Sequence, residues 1–99
     1  MQMNLTSFKQ LLDDEDASEQ LQGCLLALWK AGRGDWDGAH NIVQDDPGRD
    51  AAWIHAYLHR TEGDLGNAAY WYRRAGKPVN NATLEKEWEE ITVALLAKE

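Results

Sequence analysis

The segments GDWDGA (residues 34–39) and GDLGNA (residues 63–68) follow one pattern, Gly-Asp-apolar-x-x-Ala. Each segment lies between two stretches whose apolar residues recur at helical spacing. Glycine ends a helix without strain because it adopts left-handed backbone angles, and aspartate caps the helix that follows. Alanine after the turn lets two helices approach closely. The repeated pattern therefore predicts two helix-turn-helix units.

On either side of these turns, glycine, aspartate and asparagine divide the chain into helix-length pieces. The predicted helices cover residues 5–12, 16–31, 36–44, 51–62, 65–75 and 82–98. Their predicted N-caps are Asp16 (with Glu19 completing a capping box), Asp35, Asp50, Asp64 and Asn81. Proline is scarce and no alternating strand pattern occurs. We expect an all-α fold of about six helices.

These helices are predicted to form a single domain over residues 1–99. An N-terminal capping helix within residues 1–15 and an amphipathic capping helix within residues 81–98 enclose two hairpins, at 16–46 and 50–76. The last helix carries an apolar stripe of Leu84, Trp88, Ile91 and Leu95, and Glu85, Glu87, Glu89 and Glu90 flank this stripe.

The hairpins resemble tetratricopeptide repeats, in which small residues stand at the closest helix contact and a glycine precedes the turn. In the second hairpin Ala56, Tyr72, Ala75 and Pro78 match the family pattern. The family's repeat is about 34 residues long, longer than this one, and its large first-helix aromatics are replaced here. The resemblance implies protein or peptide binding in a concave groove. The segment HAYLHRTEGDLGNAAYWYRRAG (residues 55–76) is also similar to a small group of uncharacterised bacterial proteins.

Composition excludes several classes of partner. The 99 residues include 17 acidic and 10 basic side chains, a formal net charge of -7. This balance argues against binding nucleic acid, which needs a basic footprint, and against anionic membrane surfaces. The single cysteine, Cys24, can form no intramolecular disulfide, and the first residues lack a signal-peptide pattern. We expect a cytoplasmic protein with no cofactor.

The first candidate binding face is Trp53, Tyr57 and Arg60, spaced by four and three residues on one helix. The resemblance to tetratricopeptide repeats implies that these positions line the groove. Aromatic surface beside a guanidinium is also typical of binding hot spots. The alternative is that both rings pack against the last helix while Arg60 pairs with a glutamate.

The second candidate is the basic and aromatic stretch YWYRR (residues 70–74), followed by Lys77. The predicted binding residues in it are Tyr70, Trp71, Arg73 and Arg74. Arginine can hold a carboxylate or phosphate through two parallel hydrogen bonds. The alternative is that Tyr72 and Ala68 face the core and the arginines pair with the protein's own acids.

The third candidate is a histidine group. His55 and His59 stand at i and i+4 on one helix and Glu62 follows three residues later, a spacing that can direct two imidazoles and a carboxylate at one metal ion. His40 could join them from the preceding hairpin. The Glu of the His-Glu-x-x-His protease motif is missing. The alternative is that these histidines are partly buried and hydrogen-bonded within their own hairpin.

The sequence therefore favours a non-enzymatic module that binds a protein or peptide through its second hairpin. The partner could also be a second copy, docked through the first or last helix. No serine or cysteine lies in a nucleophile motif, so no catalytic residue is assigned. Two alternatives stay open: a small metal-dependent hydrolase built on the histidine group, and a pocket for an anionic small molecule built from Arg60, Arg73 and Tyr70.

Overall fold

The computed structural model describes residues 3–98 and confirms the all-α prediction. Within those residues the helices are α1 (Leu5–Leu11), a 3-10 helix (Glu15–Glu19), α2 (Gly23–Gly32), α3 (Trp36–Val43), α4 (Arg49–Thr61), α5 (Leu65–Ala75) and α6 (Leu84–Leu96). Residues 1, 2 and 99, the ends of the predicted domain, lie outside the described part. No helix in residues 3–98 is both long and apolar enough to cross a membrane.

The two repeated segments fold into the same turn. The Asp35 carboxylate accepts from the backbone N–H of Gly38 at 2.9 Å, and Asp64 accepts from that of Asn67 at 3.3 Å. The glycine before each aspartate has a positive φ, +85° at Gly34 and +81° at Gly63. Each turn therefore reverses the chain in the same way, and α2 packs against α3 as α4 packs against α5.

The start of the first hairpin differs from the prediction. Residues 16–31 do not form one helix, because a 3-10 helix ends at Glu19 and α2 begins only at Gly23. The predicted capping box is wrong. Asp14, not Asp16, caps the 3-10 helix by accepting from the Asp16 N–H. Gly23 has a φ of +62°, so the chain turns at this glycine as α2 begins.

Two other caps also lie at positions that differ from the predicted ones. Helix α4 starts at Arg49 with Gly48 as its N-cap, so Asp50 stands in the first turn, where a carboxylate favours the helix dipole. Helix α6 starts at Leu84, and Thr83 caps it by accepting from the Lys86 N–H. Asn81 is not the cap.

Helix α4 is the centre of the molecule. Every residue from 51 to 59 is buried, because α2, α3, α5 and α6 all pack around this helix. Because residues 51–59 have little contact with solvent, the polar groups of His55 and His59 depend on partners inside the protein. The candidate sites therefore begin at α4.

Indole groups tie the helices together. The Nε1–H of Trp88 donates to the Leu28 carbonyl at 2.9 Å, and that of Trp36 donates to the Leu58 carbonyl at 2.7 Å. Each bond joins elements far apart in sequence. The tryptophans thus bury large apolar rings while their single polar atom stays satisfied.

Candidate functional site

The first predicted binding face belongs to the core. Trp53 and Tyr57 are each only 8% exposed, so they offer little area to a partner. The ammonium of Lys77 covers the Trp53 ring at 4.2 Å. Arg60 donates to Oε1 of Glu87 at 2.9 Å and also to the Ala82 carbonyl. The structure therefore corrects the open-groove expectation and agrees with the alternative, in which the rings are packed and Arg60 pairs with a glutamate.

Glu87, one of the glutamates that flank the apolar stripe of the last helix, is completely buried. Its carboxylate accepts from Arg60 and from the Tyr72 hydroxyl, which lies 2.6 Å from Oε2. Burial, followed by the hydrogen bond to Glu87, raises the pKa of the Tyr72 hydroxyl well above its usual range. The sequence did contain a signal for this position, because Glu87 stands three residues after Leu84 and four before Ile91, on the apolar side of α6.

The proposed anionic pocket does not form as predicted. Arg60 lines a cleft of about 320 Å³ beside α5, but neither Arg73 nor Tyr70 lines it. The Arg60 charge is already compensated by Glu87. A second anion there would compete with a buried carboxylate that is held by two donors.

The second predicted cluster divides between core and surface. Tyr72 and Ala68 are buried, as the alternative held. We define the α5 basic face as Tyr70, Arg73 and Arg74, all exposed and spaced i, i+3 and i+4. Lys77 follows the end of α5, and its ammonium lies over the Trp53 ring. Within this face the Arg74 guanidinium donates to the Tyr70 hydroxyl at 3.1 Å.

The two arginines of this face lack acidic partners in the part of the chain that the structure describes. Among residues 3–98 no ion pair involves Arg73 or Arg74. Arg74 instead lies over the Trp71 ring at 5.4 Å. Trp71 also stacks on His55 and is half-buried. Its ring therefore packs beneath the basic face and offers little surface to a partner.

Three histidines meet between the hairpins. His40 comes from α3, and His55 and His59 come from α4. The ring centroids of His40 and His55 lie 4.8 Å apart, and those of His55 and His59 lie 4.9 Å apart. One nitrogen from each ring lies within 4.8 Å of the others, close enough for the three to share an ion after small side-chain rotations.

Aromatic rings form the walls of this histidine cluster, His40, His55 and His59. Trp71 stacks on His55 with centroids 3.8 Å apart, and Trp36 stacks on His40 at 4.7 Å. His55 and His59 are buried, whereas His40 is half-buried and forms the exposed side. The cluster is therefore a small imidazole-lined site with one side toward solvent.

The hydrogen bonding of the cluster is incomplete. Nδ1 of His59 donates to Oε1 of Glu62 at 2.7 Å, but the buried Nδ1 of His55 has no partner. An unsatisfied buried polar atom of this kind costs about 1–3 kcal/mol. Burial, with smaller contributions from His40 and His59, lowers the pKa of His55 to about 4, so the ring is neutral at pH 7.

The predicted histidine group is changed in one respect. Glu62 engages Nδ1 of His59 and stands on the exposed side, while His40 comes within reach of both α4 histidines. His59, Glu62 and Asp64 form a second set of three possible ligand groups, two of which are exposed. His40, which sequence spacing could not place with certainty, thus joins the two buried histidines of α4 as the half-buried member of the set.

Comparisons with known proteins add no family to this description. No protein-family model matches the chain. A search of curated proteins finds no similar protein. A search of solved structures likewise finds no match.

Proposed function

We propose that this chain is a non-enzymatic interaction module whose α5 basic face binds an acidic segment of a partner protein. The observation that carries the proposal is the exposure of Arg73 and Arg74 on one helix face with no ion pair to an acid in residues 3–98. In a protein with 17 acidic side chains, two arginines without such a partner are available to carboxylates from elsewhere.

Charge complementarity selects the class of partner. The face presents two guanidinium groups and a phenol, while the whole chain carries a net charge of -7. Arginine holds carboxylates through paired hydrogen bonds, and tyrosine and arginine are enriched among residues that carry binding energy. A peptide rich in aspartate or glutamate meets attraction at this face and repulsion over most of the remaining surface.

Two further features support the proposal. The resemblance of the second hairpin to tetratricopeptide repeats points to a family that binds peptides, although the face proposed here lies on α5 and not in the expected groove. The free thiol of Cys24 suits a reducing compartment, so we propose that the interaction takes place in the cytoplasm.

A labelled hexaglutamate peptide tests the proposal by fluorescence anisotropy with the full chain. We expect saturable binding that weakens as salt rises, because exposed charge pairs are screened. Replacing Arg73 and Arg74 together with alanine is expected to weaken binding at least tenfold. The matched control replaces Arg49 and Lys86, two exposed cations elsewhere, and removes the same total charge.

Equal weakening by the two double variants would overturn the proposal, because binding would then follow net charge alone. Light scattering at several protein concentrations tests whether a second copy of the chain binds this face instead. Self-association of the wild-type chain that the Arg73 and Arg74 replacements abolish would replace the acidic partner with a second copy.

A further inference from the structure

We propose that His40, His55 and His59 form a site for one divalent transition-metal ion of the zinc class, with a fourth coordination position open to water. This inference is independent of the α5 basic face, and it departs from the sequence expectation of no cofactor. It rests on the convergence of three imidazoles from two helices, with one nitrogen from each within 4.8 Å of the others.

The geometry requires only a small closure. Zinc binds histidine nitrogen at about 2.0–2.1 Å, so three nitrogens around a tetrahedral ion lie about 3.3 Å apart. The nitrogens here lie within 4.8 Å of one another, so their separations exceed that spacing by at most about 1.5 Å, which rotation about the side-chain bonds of His40 would reduce. His40 is half-buried and is the ring with most freedom to move.

The donor set selects the class of metal. Neutral imidazole suits zinc, copper, nickel and cobalt, whereas magnesium and calcium take oxygen ligands. No carboxylate belongs to this group of three.

An independent observation points to a missing ligand. Nδ1 of His55 is buried and is the one side-chain nitrogen or oxygen of that kind without a partner in the described residues. The ring cannot turn freely to satisfy this atom, since Trp71 stacks on it at 3.8 Å. A metal ion bound by one nitrogen from each of the three rings would give the cluster the partner that it lacks.

Glu62 has a supporting role in this site. Its carboxylate contacts Nδ1 of His59 at 2.7 Å, so Nε2 is the nitrogen of that ring that is left to bind the ion. Metal-binding histidines commonly donate their other N–H to a carboxylate, which fixes the tautomer and orients the ring. Glu62 is therefore a positioning residue and not a ligand.

The fourth position follows from the ligand count. Among residues 3–98 no fourth histidine, cysteine or carboxylate joins the three rings at the same spacing. Zinc sites with three protein ligands hold water or an exchangeable ligand at the fourth position. His40 is half-buried, so it is the ligand through which the site is nearest to solvent.

The test is a calorimetric titration of the metal-free full chain with zinc chloride in a buffer that does not chelate metal. We expect one ion per chain with a Kd in the micromolar range or tighter. His40→Gln removes the least buried ligand and is expected to weaken binding at least tenfold. Glu62→Gln keeps an acceptor for His59 and is expected to weaken binding about tenfold at unchanged stoichiometry. Asp13→Asn, in the exposed acidic run, is the control and should bind as the wild type does.

A measurement on the wild-type chain avoids any dependence on variants that fail to fold. The protein has three histidines in all, so nitrogen-edited imidazole NMR spectra report on this cluster alone. One equivalent of zinc is expected to shift the signals of all three rings. Unmoved imidazole signals in the presence of excess zinc would overturn the proposal. So would binding that Glu62→Gln abolishes and His40→Gln leaves intact, because the ion would then belong to His59, Glu62 and Asp64.

Discussion

The hydroxyl of Tyr72, on α5, donates to the carboxylate of Glu87, on α6, and lies 2.6 Å from Oε2 and 2.8 Å from Oε1. Arg60, on α4, donates to the same carboxylate at 2.9 Å. Three helices therefore meet at one buried anion. Such a charge is tolerable only while its hydrogen bonds and its counter-ion are in place, so this contact fixes how α6 lies against the second hairpin.

Removing the Tyr72 hydroxyl tests the hydrogen bond without changing the packing of the ring. We expect Tyr72→Phe to lower the free energy of unfolding by about 1–3 kcal/mol, because Glu87 loses a donor in a place that water does not reach. Urea denaturation followed by circular dichroism measures the change. The control is Tyr70→Phe on the same helix, where the hydroxyl is exposed and the change should stay within about 0.5 kcal/mol. Equal effects would contradict the buried bond.

Removing Arg60 tests the ion pair. We expect Arg60→Ala to cost about 3–5 kcal/mol, because a fully buried carboxylate is left without a counter-ion. Arg73→Ala is the matched control, since it makes the same substitution at an exposed position. The free energy of unfolding, again from urea titration, should separate the two variants clearly. A cost for Arg60→Ala as small as that of the control would mean that the pair contributes nothing.

Two glycines only three residues apart should respond in opposite ways to alanine. Gly63 has a φ of +81°, and an alanine there is expected to destabilise the fold by about 1–2 kcal/mol. Gly66 lies in α5 with open space around an added Cβ, so Gly66→Ala should stabilise by about 0.4–1 kcal/mol. Thermal melts of both variants check the signs. An unchanged stability of the Gly63→Ala variant would contradict a left-handed conformation at this turn.

The thiol of Cys24 should react slowly in the folded protein. Burial, with smaller contributions from Asp46 and Asp50, raises its pKa from 9.0 to about 11. Since the thiolate is the nucleophile, a rise of two units makes alkylation about 100-fold slower at pH 8 than in the unfolded chain. Iodoacetamide labelling followed by mass spectrometry, with and without urea, gives the two rates. Similar rates would show that the pKa of the thiol is not raised.

Local signals explain why most helices were predicted from the sequence. The turns at Gly34 and Gly63 are made by residues within four positions of each other, so the pattern that forms them is visible in the chain. The predicted helix at residues 65–75 agrees with α5 in full. The error before Gly23 arose because several neighbouring acids could act as a cap, and the sequence does not rank them.

The sites were harder to predict, because charge and hydrophobic pattern gave conflicting signals. The charge of Glu87 placed it beside the apolar stripe in the sequence analysis, although its spacing from Ile91 puts it on the apolar face. Its burial depends on Arg60 and Tyr72, two partners from different helices. An aromatic residue in the sequence does not reveal whether its ring is buried, so no local signal showed that Trp53 is buried and Tyr70 exposed.

The sequence by itself determined the helices and the two repeated turns, because capping and glycine geometry are settled over a few residues. Tertiary structure alone decided which side chains meet. It placed His40 against His55 and His59, buried Trp53 and Tyr57 of α4, and left the α5 basic face exposed. Those outcomes depend on how α3, α5 and α6 pack around α4, and packing between distant segments is set by the whole core at once.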